Sequence, residues 1–378
     1  MALNLTRPQA RRTLLLAIAG SALALASCQT GPRPGPGPEL PPVPLPGQQN
    51  MVAVIVPLTG GDGPVGTSIS NAARLALADT GEKSIKVTIY DSAGPGGAAG
   101  AAQRAIAEGN GLILGPLLAE DVRAAAPIAR SASVPVIAFS NDEAVAGNGV
   151  YIMGFTPNQS IGRVVSYARS KGSARFAALV PTGLYGQRAA QAMIETVRKS
   201  GGTVTGIQTY DRSKASVTAA ARRLNARGAF DAVLIGDSSR IAAMAAPLIK
   251  TGPRRLGTEL WATDRTIGTN AALRGAWYAA APDAQFDRLV ARYRARYGKT
   301  PYRLASLGYD AVLLAVRNAR SWPIGRPFPA RNLVDKDGFG GVDGSFRFTR
   351  DGVAERLLEV RQVGAGGATT VSPASTKF

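Results

Sequence analysis

The side chains that most often run catalysis are sparse in this 378-residue sequence. It has no histidine and one cysteine. Ser-His-Asp and Cys-His nucleophiles, His-ligated metal, Cys-cluster zinc and an intrachain disulfide are therefore excluded. Ser140 with Asp142 sets a hydroxyl beside a carboxylate, but no histidine or nearby lysine stands by as a base. Asp335, Asp337 and Asp343 form the one carboxylate cluster suggestive of a metal, and the glycines around them mark them as turn formers. Gly94-Pro95-Gly96-Gly97-Ala98-Ala99 fits a dinucleotide fingerprint, yet it follows the second strand of its unit. The third strand then ends in Gly115-Pro116, without the acid that should meet a ribose. Neither a phosphate-binding G-x-x-x-x-G-K-[ST] loop nor a G-x-S-x-G elbow occurs. These residues predict a protein that is not an enzyme and that needs no cofactor or metal.

The single cysteine has a different chemistry in prospect. Arg7, Arg11 and Arg12 precede an apolar run over residues 14–26, too short for the ~20 residues that a spanning helix needs. This is the pattern of an export signal. It ends in Leu25-Ala26-Ser27-Cys28, which resembles the lipobox of bacterial lipoproteins, in which the cysteine is acylated and becomes the new N-terminus. The resemblance implies lipidation at Cys28, a periplasmic location and a lipid anchor, since several acyl chains at about 0.8 kcal/mol per CH₂ hold firmly. Gln29, which is not an aspartate, favours the outer membrane by analogy with enteric sorting. Residues 28–50, with Gly31-Pro32-Arg33-Pro34-Gly35-Pro36-Gly37-Pro38, form a proline-rich tether. At about 3.1 Å per residue it holds the globular part up to ~60 Å from the lipid.

Lys and Arg number 44 against 25 Asp and Glu, a net charge of +19. The excess is spread along the chain with no basic run interleaved with aromatics, so nucleic acid is not an expected partner.

From Met51 onward, apolar runs alternate with helical patterns. Residues 51–56 read as a strand buried on both faces, followed by a glycine-rich turn and a helix over 69–78. Strands over 85–90, 111–114 and 134–139 and helices over 98–108 and 121–131 continue the rhythm. It restarts near Tyr151 with helices over 161–171, 187–200, 216–226 and 240–250 and strands over 175–180, 203–210, 232–235 and 259–262. The fold class is α/β: two doubly wound parallel-sheet domains in tandem. Ligands of such sheets bind outside the carboxyl ends of the strands. Those ends place Thr59, Gly60, Leu117, Leu118, Ser140, Asp142, Tyr185, Asp237 and Ser238 at a cleft between the domains.

Val54-Ile55-Val56-Pro57-Leu58-Thr59-Gly60, Tyr90-Asp91-Ser92-Ala93-Gly94, Ile113-Leu114-Gly115-Pro116 and Val134-Pro135-Val136-Ile137-Ala138-Phe139-Ser140 occur in that order. Leu179-Val180-Pro181 with Tyr185-Gly186, then Gly308-Tyr309-Asp310-Ala311, complete the set. This series resembles type I periplasmic binding proteins of the leucine-binding kind. The resemblance implies a hinge crossed three times, near residues 154–157, 279–282 and 338–343. The first domain is then 51–154 plus 279–338 and the second 155–278 plus 339–363, with an alternating stretch over 345–348 helping to close the second and a disordered tail over 364–378. It further implies that Tyr185 covers a ligand and that Asp237 meets its ammonium.

The lipobox, the tether, Phe139-Ser140-Asn141-Asp142, Val150-Tyr151-Ile152-Met153-Gly154-Phe155-Thr156-Pro157 and the segment from Gly338 to Phe348 look like penicillin-binding protein activator lipoproteins. That implies a non-catalytic regulator whose partner is a peptidoglycan synthase, a penicillin-binding protein. The alternative is a receptor for amino acids or related small polar ligands, whose partner is an ABC permease. In the resembled family, Ser or Thr in the loop after the third strand holds the ligand's carboxylate. Here Gly115-Pro116-Leu117-Leu118 offers no hydroxyl, and Asp142 stands in the next loop. A carboxylate facing them loses about 1–3 kcal/mol per missing hydrogen bond. Weak binding of free leucine-type amino acids is the expectation, which favours the regulator.

Overall fold

Strand β1 (Asn50–Val56) shows how the first half of the molecule is built. Val52, Val54 and Val56 enter the core on one side of the sheet, and Ala53 and Ile55 enter the core on the other. A strand covered on both faces must be apolar along its covered length, and residues 51–56 are, while the buried Asn50 at its start donates to the Trp322 carbonyl at 2.7 Å. The computed structural model describes residues 48–378; Cys28 and the segments expected to be an export signal and most of a tether lie outside the described residues.

Strands β2 (Ile85–Asp91), β3 (Asn110–Leu114), β4 (Val136–Ala138) and β5 (Val150–Ile152) join β1 in a parallel sheet of order β2-β1-β3-β4-β5. Helix α1 (Gly63–Thr80) covers one face through Ile69, Ala72, Ala73 and Ala76. Helices α2 (Gly97–Ala107) and α3 (Ala119–Ser131) cover the other. In α2 the buried positions are Ala98, Ala101, Ala102 and Ala105, a helical stripe whose small side chains let the backbone approach the sheet closely.

The second sheet repeats the scheme. Helix α4 (Pro157–Ser170) leads to β6 (Arg175–Pro181), α5 (Leu184–Lys199), β7 (Thr203–Tyr210), α6 (Lys214–Asn225), β8 (Ala232–Ile235), α7 (Ser239–Ala245), β9 (Arg254–Gly257) and β10 (Trp277–Ala280). Helices α4 and α5 pack on one face, and α6 and α7 on the other. The chain then returns, and α8 (Ala284–Tyr297) and α9 (Ala305–Ala319) pack beside α1 in the first core. Two short three-residue and five-residue strands, β11 (Phe339–Gly341) and β12 (Gly344–Phe348), form an antiparallel sheet with β13 (Ala354–Arg356). Strand β14 (Glu359–Gly364) pairs antiparallel with β10, and β15 (Gly367–Ser372) pairs with β14.

Two strand exits are built alike. A Cβ at Gly66 would lie 1.7 Å from the Pro57 carbonyl oxygen, and one at Gly186 would lie 1.6 Å from that of Pro181. Only glycine lets α1 and α5 start so close above the strands they follow.

Four expectations change. The stretch over 345–348 and its neighbours belong to the first core, not the second: Phe339, Phe346, Phe348 and Ala354 all pack there. Their alternation announces a strand, but packing partners decide which sheet it serves. The third crossing consequently falls at Leu357-Leu358 and not at 338–343, Leu358 being the first residue to enter the second core. Residues 259–262 form a 3₁₀ turn (Glu259–Thr263), and the strand lies just before it. Trp261 folds back onto Gly257, where a Cβ would sit 2.2 Å from its ring, and the Trp261 indole donates to the Asp237 carbonyl at 3.0 Å. The tail, expected to be disordered, supplies β15, whose backbone bonds extend the sheet edge although its side chains are small.

Buried charges tie the three crossings together. Arg356 donates to the Met153 carbonyl, Arg361 pairs with Asp283 and donates to the Ala281 carbonyl at 2.8 Å, and Arg303 pairs with both Asp283 and Asp343. Among the described residues no helix is long and apolar enough to cross a membrane.

Candidate functional site

The carboxyl ends of the strands supply two walls. On the first, Asp91 at the end of β2 accepts the Leu58 N–H at 2.8 Å, the Thr59 hydroxyl at 3.1 Å and the Ala93 N–H at 2.9 Å. Partial burial pushes its carboxyl up, but these donors outweigh it and hold the group below the usual aspartate range. Thr59 therefore spends its hydroxyl on the turn. Gly60 lines a cavity of about 620 Å³ with Tyr293, Tyr297 and Tyr302. Leu117 and Leu118 bring no polar side chain, as their types require.

Ser140 is 1% exposed, and its oxygen accepts the Asp142 N–H at 3.1 Å. Asp142 is the centre of this wall. Its carboxylate is buried, with Oδ2 bound to Arg123 Nη2 at 2.6 Å and Oδ1 to Arg188 Nη2 at 3.2 Å. Arg123 lies on α3 of the first sheet. Arg188 lies on α5 of the second, so this carboxylate joins the two halves of the molecule.

On the second wall, Tyr185 begins the first turn of α5, and its hydroxyl donates to Thr258 Oγ1 at 3.3 Å. The partly buried Glu259 follows Thr258 and accepts the Ser160 hydroxyl from α4. Burial pushes the Glu259 carboxyl up to about 7, against the opposing hydrogen bonds from Ser160 and Tyr185. Burial raises the Tyr185 phenol as well, with the Glu259 charge adding to it. Around neutral pH this acid is poised between its charged and neutral forms, and can accept from an ammonium or donate to a carbonyl.

Asp237 and Ser238 are placed differently from the expectation. The Asp237 carboxylate takes Arg212 Nε at 2.8 Å, the Tyr210 hydroxyl at 3.2 Å and the Ser238 N–H at 2.7 Å. These bonds commit the carboxylate to its own loop, while the Asp237 carbonyl accepts from the Trp261 indole. Glu259 is the acid of this wall held by a hydroxyl, that of Ser160, where Asp237 is held by an arginine. A strand expected over 259–262 hides it; the strand ends at Gly257, which puts Thr258 and Glu259 in the strand-exit position. Ser160, Arg123 and Arg188 sit on helices and reach the site only through tertiary packing. Of the aspartates that suggested a metal, Asp335 pairs with Arg317 and Asp343 with Arg303.

A second cavity, of about 870 Å³, lies between the loop over 262–267 and α8 with Tyr302. It shares Thr300 and Tyr302 with the cavity at Gly60. Arg265 of the second half reaches Asp287 of the first across it at 2.9 Å. Volumes of this order suit small molecules.

Comparison with known proteins agrees with this architecture. Residues 51–368 match the family described as periplasmic binding protein. A structure of a putative branched-chain amino acid ABC transporter protein from Rhodospirillum rubrum superposes with a TM-score of 0.73 at 20% identity, covering 85% of this chain and 100% of that one. The solute binding protein of an ABC transporter from Rhodopseudomonas palustris BisB5, in complex with 3,4-dihydroxybenzoic acid, gives 0.66 at 21% identity, with 86% and 96% covered. An uncharacterized protein of Rickettsia prowazekii is 24% identical over 174 residues, 46% of this chain and 47% of its own length, so the match spans under half of that relative.

Proposed function

Because the chain belongs to the periplasmic binding protein family, we propose that it is the solute-binding component of an ABC importer, taking up amino acids or related small solutes. The observation that carries this reading is Glu259, an acid at a strand exit that is set beside Ser160 and Tyr185 and raised by burial to about 7. Tyr185 presents an aromatic face beside it, suited to covering an apolar or aromatic group. The protein acts by binding and not by catalysis, and its partner is a permease.

The expectation of a peptidoglycan-synthase regulator rests on the activator-like segments, on the hydroxyl-free loop over 115–118 and on the premise that Asp142 repels an incoming carboxylate. That premise fails on charge. Arg123 and Arg188 both bind Asp142, so the cluster carries a formal +1 and attracts an anion. The solved neighbours, one of them holding dihydroxybenzoic acid, favour the importer reading as well. Lipidation at Cys28 would keep the protein at a membrane surface, within tether length of a permease.

Thermal denaturation of the full chain against the twenty common amino acids and a set of aromatic carboxylates tests the function. A ligand at a hundredfold excess over its Kd stabilises the folded state by about 2.7 kcal/mol. At least one compound should raise the transition, and an unmoved transition across the whole set would contradict the proposal.

A further inference from the structure

We infer that residues 373–378 form a strap that fastens the two halves across the hinge, with Phe378 as its detachable peg. This holds whatever the cleft binds. One end of the segment is fixed on the second half. Strand β15 pairs with β14, and Arg163 of α4 donates through Nη2 to the Ser372 hydroxyl at 2.6 Å and to the Pro373 carbonyl at 3.3 Å. The same guanidinium donates through Nε to the Leu358 carbonyl at 2.9 Å, so the segment leaves its sheet beside the third crossing. The other end sits on the first half. The Arg347 guanidinium of β12 lies over the Phe378 ring, 4.6 Å from its centroid, and a Cβ at Gly338 would stand 2.7 Å from that ring. Gly338 has φ +70°, and its carbonyl accepts from Arg317 of α9 at 2.8 Å. A bare glycine floor beneath a cation makes a seat suited to an aromatic side chain.

Between its two ends the segment touches little. Ser375, Thr376 and Lys377 are exposed, while Phe378 is half-buried. A segment that only covered a core would be seated along its length, whereas this one is seated at its ends. It also carries slack. The Ser375 hydroxyl oxygen accepts the Lys377 N–H at 3.1 Å, and the hydroxyl donates to the Lys377 carbonyl at 2.6 Å, closing a small bend. Six residues reach about 20 Å when fully extended, so opening the bend lets out chain. Small turns of the hinge leave Phe378 in place, and larger ones pull on it. The three crossings are covalent and cannot release. The fourth tie is held by side chains, so it limits how far the halves separate and can let go.

Hydrogen exchange of the full chain tests the strap, read by mass spectrometry over residues 153–157 and 355–360, with residues 52–56 reporting the global fold. Phe378→Ala should exchange at least tenfold faster at both crossings and at the wild-type rate over 52–56. A second variant, with Gly-Ser-Gly-Ser inserted between Ser375 and Thr376, keeps the peg and its seat but lengthens the tie. It should loosen both crossings to a similar extent. If only Phe378→Ala loosens them, Phe378 is a packing residue of the small sheet and the strap is overturned. Wild-type exchange at the crossings in Phe378→Ala overturns it too. So does acceleration that extends equally to 52–56, which would make Phe378 a residue of global stability.

Discussion

Tyr185 and Arg188 stand one helical turn apart at the start of α5 and reach opposite walls. The Tyr185 hydroxyl donates to Thr258 on its own sheet at 3.3 Å, while Arg188 crosses to Asp142 on the other sheet at 3.2 Å. One helix end thus senses both halves of the cleft. Its position is set by Gly186, whose missing Cβ lets the helix rest on the Pro181 carbonyl.

The pH dependence of stability should report Glu259. Burial lifts its carboxyl from the usual 4.5 to about 7. Below pH 4.5 the group is protonated in both folded and unfolded chains and costs nothing. As pH rises from 4.5 to 7 the unfolded chain ionises first, so stability falls, and above 7 the loss is constant. Glu259→Gln removes this loss. The variant should equal the wild type near pH 4.5 and exceed it by about 1–3 kcal/mol at pH 8, measured by denaturant titration at each pH. Burial and the Asp343 charge also lift Asp310 to about 7, so the difference between variant and wild type is the readout, not either profile alone.

At the hinge, Arg303 holds the fully buried Asp343 and also Asp283. Arg303→Ala strands a buried carboxylate and should destabilise by about 3–5 kcal/mol. Adding Asp343→Asn should recover part of that loss, because the orphaned charge is removed. Denaturation midpoints of the single and double variants check this, and equal midpoints would show that Asp343 does not depend on Arg303.

What could be read from the sequence was whatever a short window decides. The double-faced burial of Val52–Val56 positions follows from an unbroken apolar run, and the strand exits at Thr59 and Ser140 follow from where such runs stop. What could not be read was non-local. Phe346 and Phe348 alternate as a strand should, but nothing in their neighbourhood says that they join the first core. Trp261 makes 259–262 look like a strand until it is seen folding onto Gly257. Asp142 looked like a group that repels a carboxylate, since its two arginines are 19 and 46 residues away in the chain.

The lipid anchor is tested by Cys28→Ser. The wild type should fractionate with membranes, and the variant should be released as soluble protein or remain an unprocessed precursor. A processed variant that still partitions with membranes would remove Cys28 from the account.

The central claim is that a small solute binds in the cleft with Glu259 as its polar anchor. Calorimetry of the full chain at pH 7.5, with the ligand that most raises the thermal transition, measures it for wild type and Glu259→Gln side by side. A charge-assisted hydrogen bond contributes about 1.5–3 kcal/mol. The wild type should therefore show a Kd on the order of micromolar, and the variant one weaker by about 10- to 100-fold. An unchanged Kd in Glu259→Gln, or no binding heat in the wild type, would contradict it.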